Sequence, residues 1–560
     1  MQQASTESNH PPPALVKTAR RFQALLVIGL LLRLVMFNQP FFNNSNLRQT
    51  QTATITRSII ASGGRSLSGE VNWMGDLRAR LLLELPLYNY LVAAVNWTGV
   101  PLDLAGKLVS TALWAISFLL LQAIWRRVLS VEEAFWANLL FVLAPVSVFF
   151  GQAFLPEMLI QASSFAMLVF LLRYLERPQV LTFIGMSLAG AVGMLLKAPE
   201  IAHLYLVAAV MLMRREWLAA RMRKGTQSGE QGLDPAIQGR VSPRMSLIGF
   251  LTALGVTALA MLLWGRYIDR VNSEWFPEWT SRNVLGIMTG SWTAHIAPTG
   301  YFRLLIYLTL LVTTLGGWPW VLAGLGTVLK SQKTGNRVGS SLASGTLAGM
   351  ALGSRTFELV WVASLLFYYG FWSGGASRIH AYYNLPALGP ACLLFGIGCA
   401  RWLRVPWAAR FPRLTSVAPA LFVLATAVGP YWFLFHNDQV LARATTWLRE
   451  HTGSADFILV RINHRTDMCR YRYNSTVAYY AQRNIWPWVD GEAQEVKSRA
   501  LATASWALVT NPEQYTEWTE KLRRRVKQLE LQVEDMSWLE REGRFIKVYE
   551  TPEFVVYKRK

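Results

Sequence analysis

Residues 41–57, FFNNSNLRQTQTATITR, follow the first strongly apolar stretch of the chain and decide how the rest is read. A span that merely turned back would need only a few linking residues. This run instead places amides, hydroxyls, Arg48 and Arg57 at the end of an apolar segment. Such a composition suits a polar group held at a membrane surface. The residues that surround it extend that reading.

The chain has 560 residues, of which 52% are hydrophobic, and its mean hydropathy is +0.25. Soluble domains hold about 45–50% apolar residues. Apolar windows long enough to cross roughly 30 Å of hydrocarbon recur over the first four-fifths of the sequence. They fall near 22–38, 104–125, 133–151, 157–174, 180–197, 199–213, 244–264, 301–329, 356–373, 382–402 and 415–435. The expected fold is a polytopic α-helical membrane protein of about 11 spans with a small α/β domain at its C-terminal end.

The formal charge is +21, from 55 Lys and Arg against 34 Asp and Glu. The basic clusters KTARR, WRR, MRREWLAARMRK and RWLRVPWAARFPR lie between apolar spans, which is the positive-inside pattern and not a nucleic-acid surface. No nucleic-acid partner is expected. Cys392 and Cys399 share one apolar span, and with Cys469 they form no zinc or disulfide spacing. The N-terminal segment reads as a retained signal anchor.

With the N-terminus inside, the layout is a cytoplasmic segment 1–21, a transmembrane domain 22–435 and an extracytoplasmic α/β domain 436–560. Outer loops span 39–103 and 265–300, and a Gly/Ser-rich cytoplasmic linker spans 331–354. Residues 81–98, with Pro86, Tyr88, Tyr90 and Trp97, suit an interfacial helix on the outer face. In the last domain DFILVRI, SWALVTN and FVVYKRK read as strands, with helices at 440–451, 492–504 and 513–533. His451, His464, Asp467 and Cys469 form no nucleophile constellation there.

Polar candidates gather at the ends of spans on one side. LRQTQTATITR as a helix puts Arg48 and Thr52 on one flank with Gln49 beside them, and Ile55, Ile59 and Ile60 toward the interface; a solvated surface helix is the alternative. Glu84 is the acid in LLLELPLYNYLVAAV, where a carboxylate is costly unless paired, and Asp76, Arg78 and Arg80 lie upstream. Glu157 opens a helix, where the helix dipole alone would favour an acid. Lys197 in MLLKAPE is a lone lysine at an outer corner, suited to a phosphate, unless Glu200 neutralises it. Arg378, His380, Tyr382 and Tyr383 precede a further span and suit an anionic headgroup. Cations beside a carboxylate fit group transfer from a lipid phosphate.

The order RQTQTA, ELPLYNYL, LPEMLIQ, LLKAP and HAYYNLPALGPA resembles the GT-C membrane glycosyltransferases, in the branch of protein O-mannosyltransferases and lipid A aminoarabinose transferase. The resemblance covers about residues 20–400. It implies a polyprenyl-phosphate sugar donor within membrane lipid, and inverting transfer to a glycan, lipid or protein acceptor on the outer face of a cell inner membrane. It implies that Glu157 lies in an acceptor and divalent metal ion region, that Lys197, Arg48, Arg378 and His380 face the donor phosphate, and that Gln49, Asn43, Asn44 and Tyr88 position substrate. Relatives carry an acid just after the first span. Here Asn43 and Asn44 stand in that place, and an amide is no general base. Glu84, Glu157 or Asp76 then takes the role, or the chain is an inactive GT-C-like scaffold. A transporter or flippase of a charged lipid or solute would place ionisable groups mid-span. Most charges lie at span ends, with Arg33 the exception, expected to snorkel.

Overall fold

The computed structural model describes residues 13–34, 37, 39–43, 46–76, 79–227, 243–274, 276, 280–281, 316–334, 355–369, 381–435, 439–461, 474–488, 494–510 and 536–560. The helices in chain order are α1 (Pro13–Leu34), α2 (Asn46–Ala61), α3 (Leu87–Asn96), α4 (Leu102–Val128), α5 (Val131–Leu143), α6 (Pro145–Phe150), α7 (Glu157–Glu176) and α8 (Val180–Gln227). They continue with α9 (Pro243–Asn272), α10 (Trp318–Thr334), α11 (Thr356–Phe367), α12 (Leu388–Trp402), α13 (Pro406–Arg410), α14 (Pro412–Phe435), α15 (Gln439–His451), α16 (Asn474–Ala481), α17 (Gln494–Thr503) and α18 (Trp538–Arg541). Among the described residues, six helical segments are long and apolar enough to cross a membrane. The chain is a polytopic helical membrane protein with a small C-terminal sheet.

Two compact units divide the chain. The first comprises 1–37, 107–267 and 281–432, and the second comprises 38–106, 268–280 and 433–560.

In the first unit, α7 and the segment Ala381–Trp402 are the inner elements, with 83% and 94% of their apolar windows buried by protein. The windows of Ile248–Asn272 and Pro412–Trp432 are 11% and 22% buried, which leaves most of their apolar surface for lipid. Hydroxyls on the inner helices are satisfied locally: Ser163 and Ser164 each donate to the carbonyl four residues back.

Helix α8 is interrupted at Lys197, whose backbone is extended (φ −162°, ψ 84°). Pro199 lacks an N–H and disfavours helix at the residue before it, so the chain breaks here and restarts. The two halves fold back on one another. A Cβ on Gly193 would lie 2.7 Å from Ile201, and one on Gly190 2.6 Å from the Tyr205 hydroxyl. In a straight helix these pairs would be about 12 Å and about 22 Å apart. Lys197 is therefore the corner of a helical hairpin.

Arg33 does not snorkel. It is fully buried, with Nη1 donating to the Gly29 carbonyl at 2.7 Å and Nη2 to Ser147 O and Oγ at 2.8 and 2.9 Å. Its guanidinium lies 3.4 Å from the Trp114 ring centroid. Three acceptors and an aromatic face replace the water that snorkelling would have reached.

The second unit is built on a five-stranded sheet of order β4-β3-β5-β7-β6, with a separate two-stranded ribbon of β1 (Gly69–Glu70) and β2 (Arg80–Leu81). Strands β3 (Phe457–Arg461), β4 (Asn484–Pro487) and β5 (Trp506–Thr510) are parallel, with α16 and α17 as crossovers. Strands β6 (Phe545–Glu550) and β7 (Phe554–Arg559) complete the sheet as an antiparallel pair. The period-2 alternation sorts side chains to two faces. Ile458, Val460, Ile485 and Leu508 join a core with α15 and α16, whereas Leu459, Trp486 and Ala507 join one with α17 and α18.

The first of these cores also contains Phe42, Ile55, Ile59, Val71, Trp73 and Leu81. Helix α2 is thus neither a solvated surface helix nor seated in an interface by its isoleucines: Ile55 and Ile59 are 4% and 0% exposed within protein. Two chain crossings fasten this region. Asn272 grips both backbone groups of Leu82, accepting from its N–H at 3.0 Å and donating to its carbonyl at 2.7 Å. Asn72 O accepts from the Ile485 N–H at 2.8 Å. Helix α3 has ten residues, about 15 Å, which is too short to cross a bilayer.

Candidate functional site

Within the first unit, the polar centre is built on the corner of α8. Glu157 is the first residue of α7 and is wholly buried. Its place at a helix N-terminus favours the carboxylate, and Pro156 before it fixes the entry of the chain. The Lys197 ammonium donates to Glu157 Oε1 at 3.0 Å and Oε2 at 3.2 Å. On its other side it pairs with Glu200 Oε1 at 2.5 Å. Glu200 follows the extended backbone of Lys197 within the first turn of the second half.

Tyrosines wall this cluster. The 3₁₀ turn Ala381–Ala387 carries Tyr382 and Tyr383, whose ring centroids lie 3.9 and 4.5 Å from Lys197 Nζ. The Tyr368 hydroxyl donates to the Tyr383 carbonyl at 2.9 Å, and Tyr369 donates to Asn384 Oδ1 at 3.4 Å. His203, two positions of three beyond Lys197, has its ring 5.6 Å from that of Tyr368. Taking these ions out of water costs several kcal/mol each, which the ammonium–carboxylate bonds and the aromatic faces offset.

The second unit holds a separate set. Arg48 Nη2 pairs with Glu84 Oε1 at 2.8 Å, with both side chains largely buried. Gln49 Nε2 donates to Asn43 Oδ1 at 2.8 Å. Asn89 caps the middle of α2 by donating to Thr52 O at 2.9 Å and Thr56 Oγ1 at 2.8 Å. Tyr88 is wholly buried and gives its hydroxyl proton to the Gly106 carbonyl at 3.0 Å. Asp76 is exposed and pairs with Arg499 at 2.7 Å, so this carboxylate serves a surface contact. Asn44, Arg78, Arg378 and His380 lie outside the described residues.

Sequence reading named Glu157 and Lys197 and offered Glu200 only as an alternative neutraliser of Lys197. Both carboxylates hold it. His203 and the Tyr368–Tyr369 pair were missed. The spacing KAPEIAH, with Lys, Glu and His three apart across a proline, was the available signal.

Chemically, a carboxylate at a helix N-terminus beside an ammonium is a proton acceptor next to an anion-binding cation. A divalent ion fits this cluster poorly. Among the described residues no group of three His, Cys, Asp or Glu side chains converges, and the space between Glu157 and Glu200 is taken by the Lys197 ammonium.

Solved structures share this fold. ArnT from Cupriavidus metallidurans, bound to undecaprenyl phosphate, is 11% identical, with 97% of this chain and 98% of that one covered at a TM-score of 0.54. Its apo state matches at 12% identity and the same TM-score, over 98% of each chain. The Archaeoglobus fulgidus oligosaccharyltransferase matches over 87% of this chain and 69% of its own, at 11% identity and TM-score 0.51. The chain has the GT-C fold. No protein-family model and no curated protein sequence matches it. Within the GT-C fold, identities this low speak for architecture, and the chemistry rests on the side chains described above.

Proposed function

We propose that the chain is a membrane glycosyltransferase that moves a sugar from a polyprenyl-phosphate donor to an acceptor on the outer face of the membrane, with inversion at the sugar carbon. The observation that carries the reading is the Glu157–Lys197–Glu200 cluster at the corner of α8, two buried carboxylates on one half-buried ammonium. Its architectural setting, a fold held in common with ArnT bound to undecaprenyl phosphate, supports it.

Glu157 or Glu200 takes the proton from the acceptor hydroxyl. The acceptor oxygen bonds to the anomeric carbon as the bond from that carbon to the phosphate oxygen breaks, and the electron pair leaves on polyprenyl phosphate. A carboxylate that has gained a proton holds Lys197 less strongly. The ammonium is then released toward the charge developing on the leaving phosphate, where a cation counts most. Arg378 and His380 are further donor contacts in this reading. The C-terminal sheet region is extracytoplasmic and the membrane is a cell inner membrane.

The test is release of polyprenyl phosphate from a panel of polyprenyl-phosphate sugars by protein in nanodiscs, with the anomeric configuration of the product determined. Release with inversion is expected. Donor binding without release from any sugar would leave a binding or transport protein on the same fold.

A further inference from the structure

We propose that His203 is a specificity-determining residue, whose imidazole binds a hydroxyl of the transferred sugar. The inference rests on the glycosyltransferase reading above and goes beyond it by assigning a sugar contact to a residue deep in the helical unit. His203 is 2% exposed, and among the described residues neither ring nitrogen has a hydrogen-bond partner. Glu157, Lys197, Tyr368 and Tyr369 are all bonded. A buried polar group without a partner opposes folding, and a phenyl ring or a leucine would fill the same space without that cost. A partner supplied by a ligand removes the conflict.

The chemistry of the ring selects the ligand. A neutral imidazole offers one N–H and one bare nitrogen, so it suits a group that both donates and accepts. A hydroxyl does both. A phosphate is an acceptor only and belongs beside a cation, which Lys197 supplies six residues earlier. His203 lies one helical step of three beyond Glu200 on the second half of α8, so the two side chains are neighbours on the helix surface. The Tyr368 ring, tilted 51° to the imidazole, provides an apolar face of the kind against which the C–H face of a sugar packs. Phosphate at Lys197 and sugar toward His203 is therefore the order the helix lays out.

The experiment compares wild type with His203→Phe and His203→Gln in nanodiscs. Binding of sugar-carrying polyprenyl phosphate and of plain polyprenyl phosphate is measured, together with kcat/KM for donors deoxygenated singly at each sugar hydroxyl. His203→Phe should fold with an equal or higher Tm. It should bind plain polyprenyl phosphate as wild type does and lose about 10- to 100-fold in kcat/KM for the full donor. One deoxy donor should cost wild type the same factor and cost His203→Phe nothing further, and His203→Gln should recover much of the loss. A folded His203→Phe that matches wild type on every donor overturns the inference while leaving the transferase standing. So does an equal deficit on all deoxy donors. If wild type neither binds nor turns over any sugar-carrying donor, the transferase reading and this inference fall together.

Discussion

Lys197 is where sequence and packing constrain each other most tightly. Its ammonium is the shared counter-ion of two buried carboxylates, so removing it does more than delete a contact. Lys197→Met is expected to destabilise the protein by about 3–5 kcal/mol, because it leaves buried charge uncompensated. Adding Glu157→Gln and Glu200→Gln to that variant should restore most of the loss, which thermal unfolding of the single, double and triple variants in detergent will read. Because the ammonium occupies the space between the carboxylates, chelation of divalent ions is expected to leave polyprenyl-phosphate release unchanged. At the same scale in the other unit, the Tyr479 hydroxyl donates to Asp103. Burial, and then the Asp103 carboxylate, push the Tyr479 pKa well above its ordinary value. Its folded-state pKa thus exceeds the unfolded value of about 10. The contribution is complete below pH 10 and is lost as pH climbs from there toward the folded pKa. Tyr479→Phe should cost about 1–3 kcal/mol at neutral pH and flatten the fall of Tm between pH 9.5 and 11.5. An unchanged alkaline slope would show that other groups carry it.

At the scale of elements, the sequence announced some features and concealed others. The corner of α8 was legible: an apolar run, a lone lysine, Ala198–Pro199 and a second apolar run can be read only as a break. The fate of Arg33 was concealed. Nothing local distinguishes an arginine that reaches water from one clamped by a carbonyl and a hydroxyl 114 residues away. That clamp has a consequence at Gly151, where a Cβ would lie 2.3 Å from Arg33 Nε and 2.6 Å from the Ser147 carbonyl oxygen. Gly151→Ala is expected to cost about 1–3 kcal/mol through overpacking, measured as a fall in Tm; no change would mean that Arg33 has room to move. The strands β3, β5 and β7 showed their alternation and hydrophobic runs. NIWP of β4 is too short, and FIKVYE of β6 too exposed, to announce themselves. The stretch 513–533 lies outside the described residues.

At the scale of the molecule, no single-sequence pattern shows that residues 38–106 share a core with 433–560. Ile55 and Ile59 read locally as interfacial side chains, yet they are buried with Trp73 and with Leu441, Ile458 and Val477 from the far end of the chain. A chain ending at residue 432 should therefore leave 38–106 without its core and open to limited proteolysis, and Trp73→Ala should cost about 3–5 kcal/mol. The GT-C fold itself was legible because its signals, span lengths, charge bias and the order of short motifs, are properties of composition and sequence order. The pairing of the proposed site was less so: Glu157 stood out as a candidate acid, but Asn43 and Asn44 occupy the place where an acid was expected, and only packing joins Glu157 and Glu200 across Lys197 and Glu84 with Arg48.

The most direct test is single-turnover release of polyprenyl phosphate from a sugar donor in nanodiscs, for wild type, Glu157→Gln, Glu200→Gln and Lys197→Ala, each first shown to be folded. Release is expected to need Lys197 and at least one of the two carboxylates, with a loss of at least about 100-fold in the variants that matter. Full release from all three folded variants would contradict it and move the chemistry away from the corner of α8.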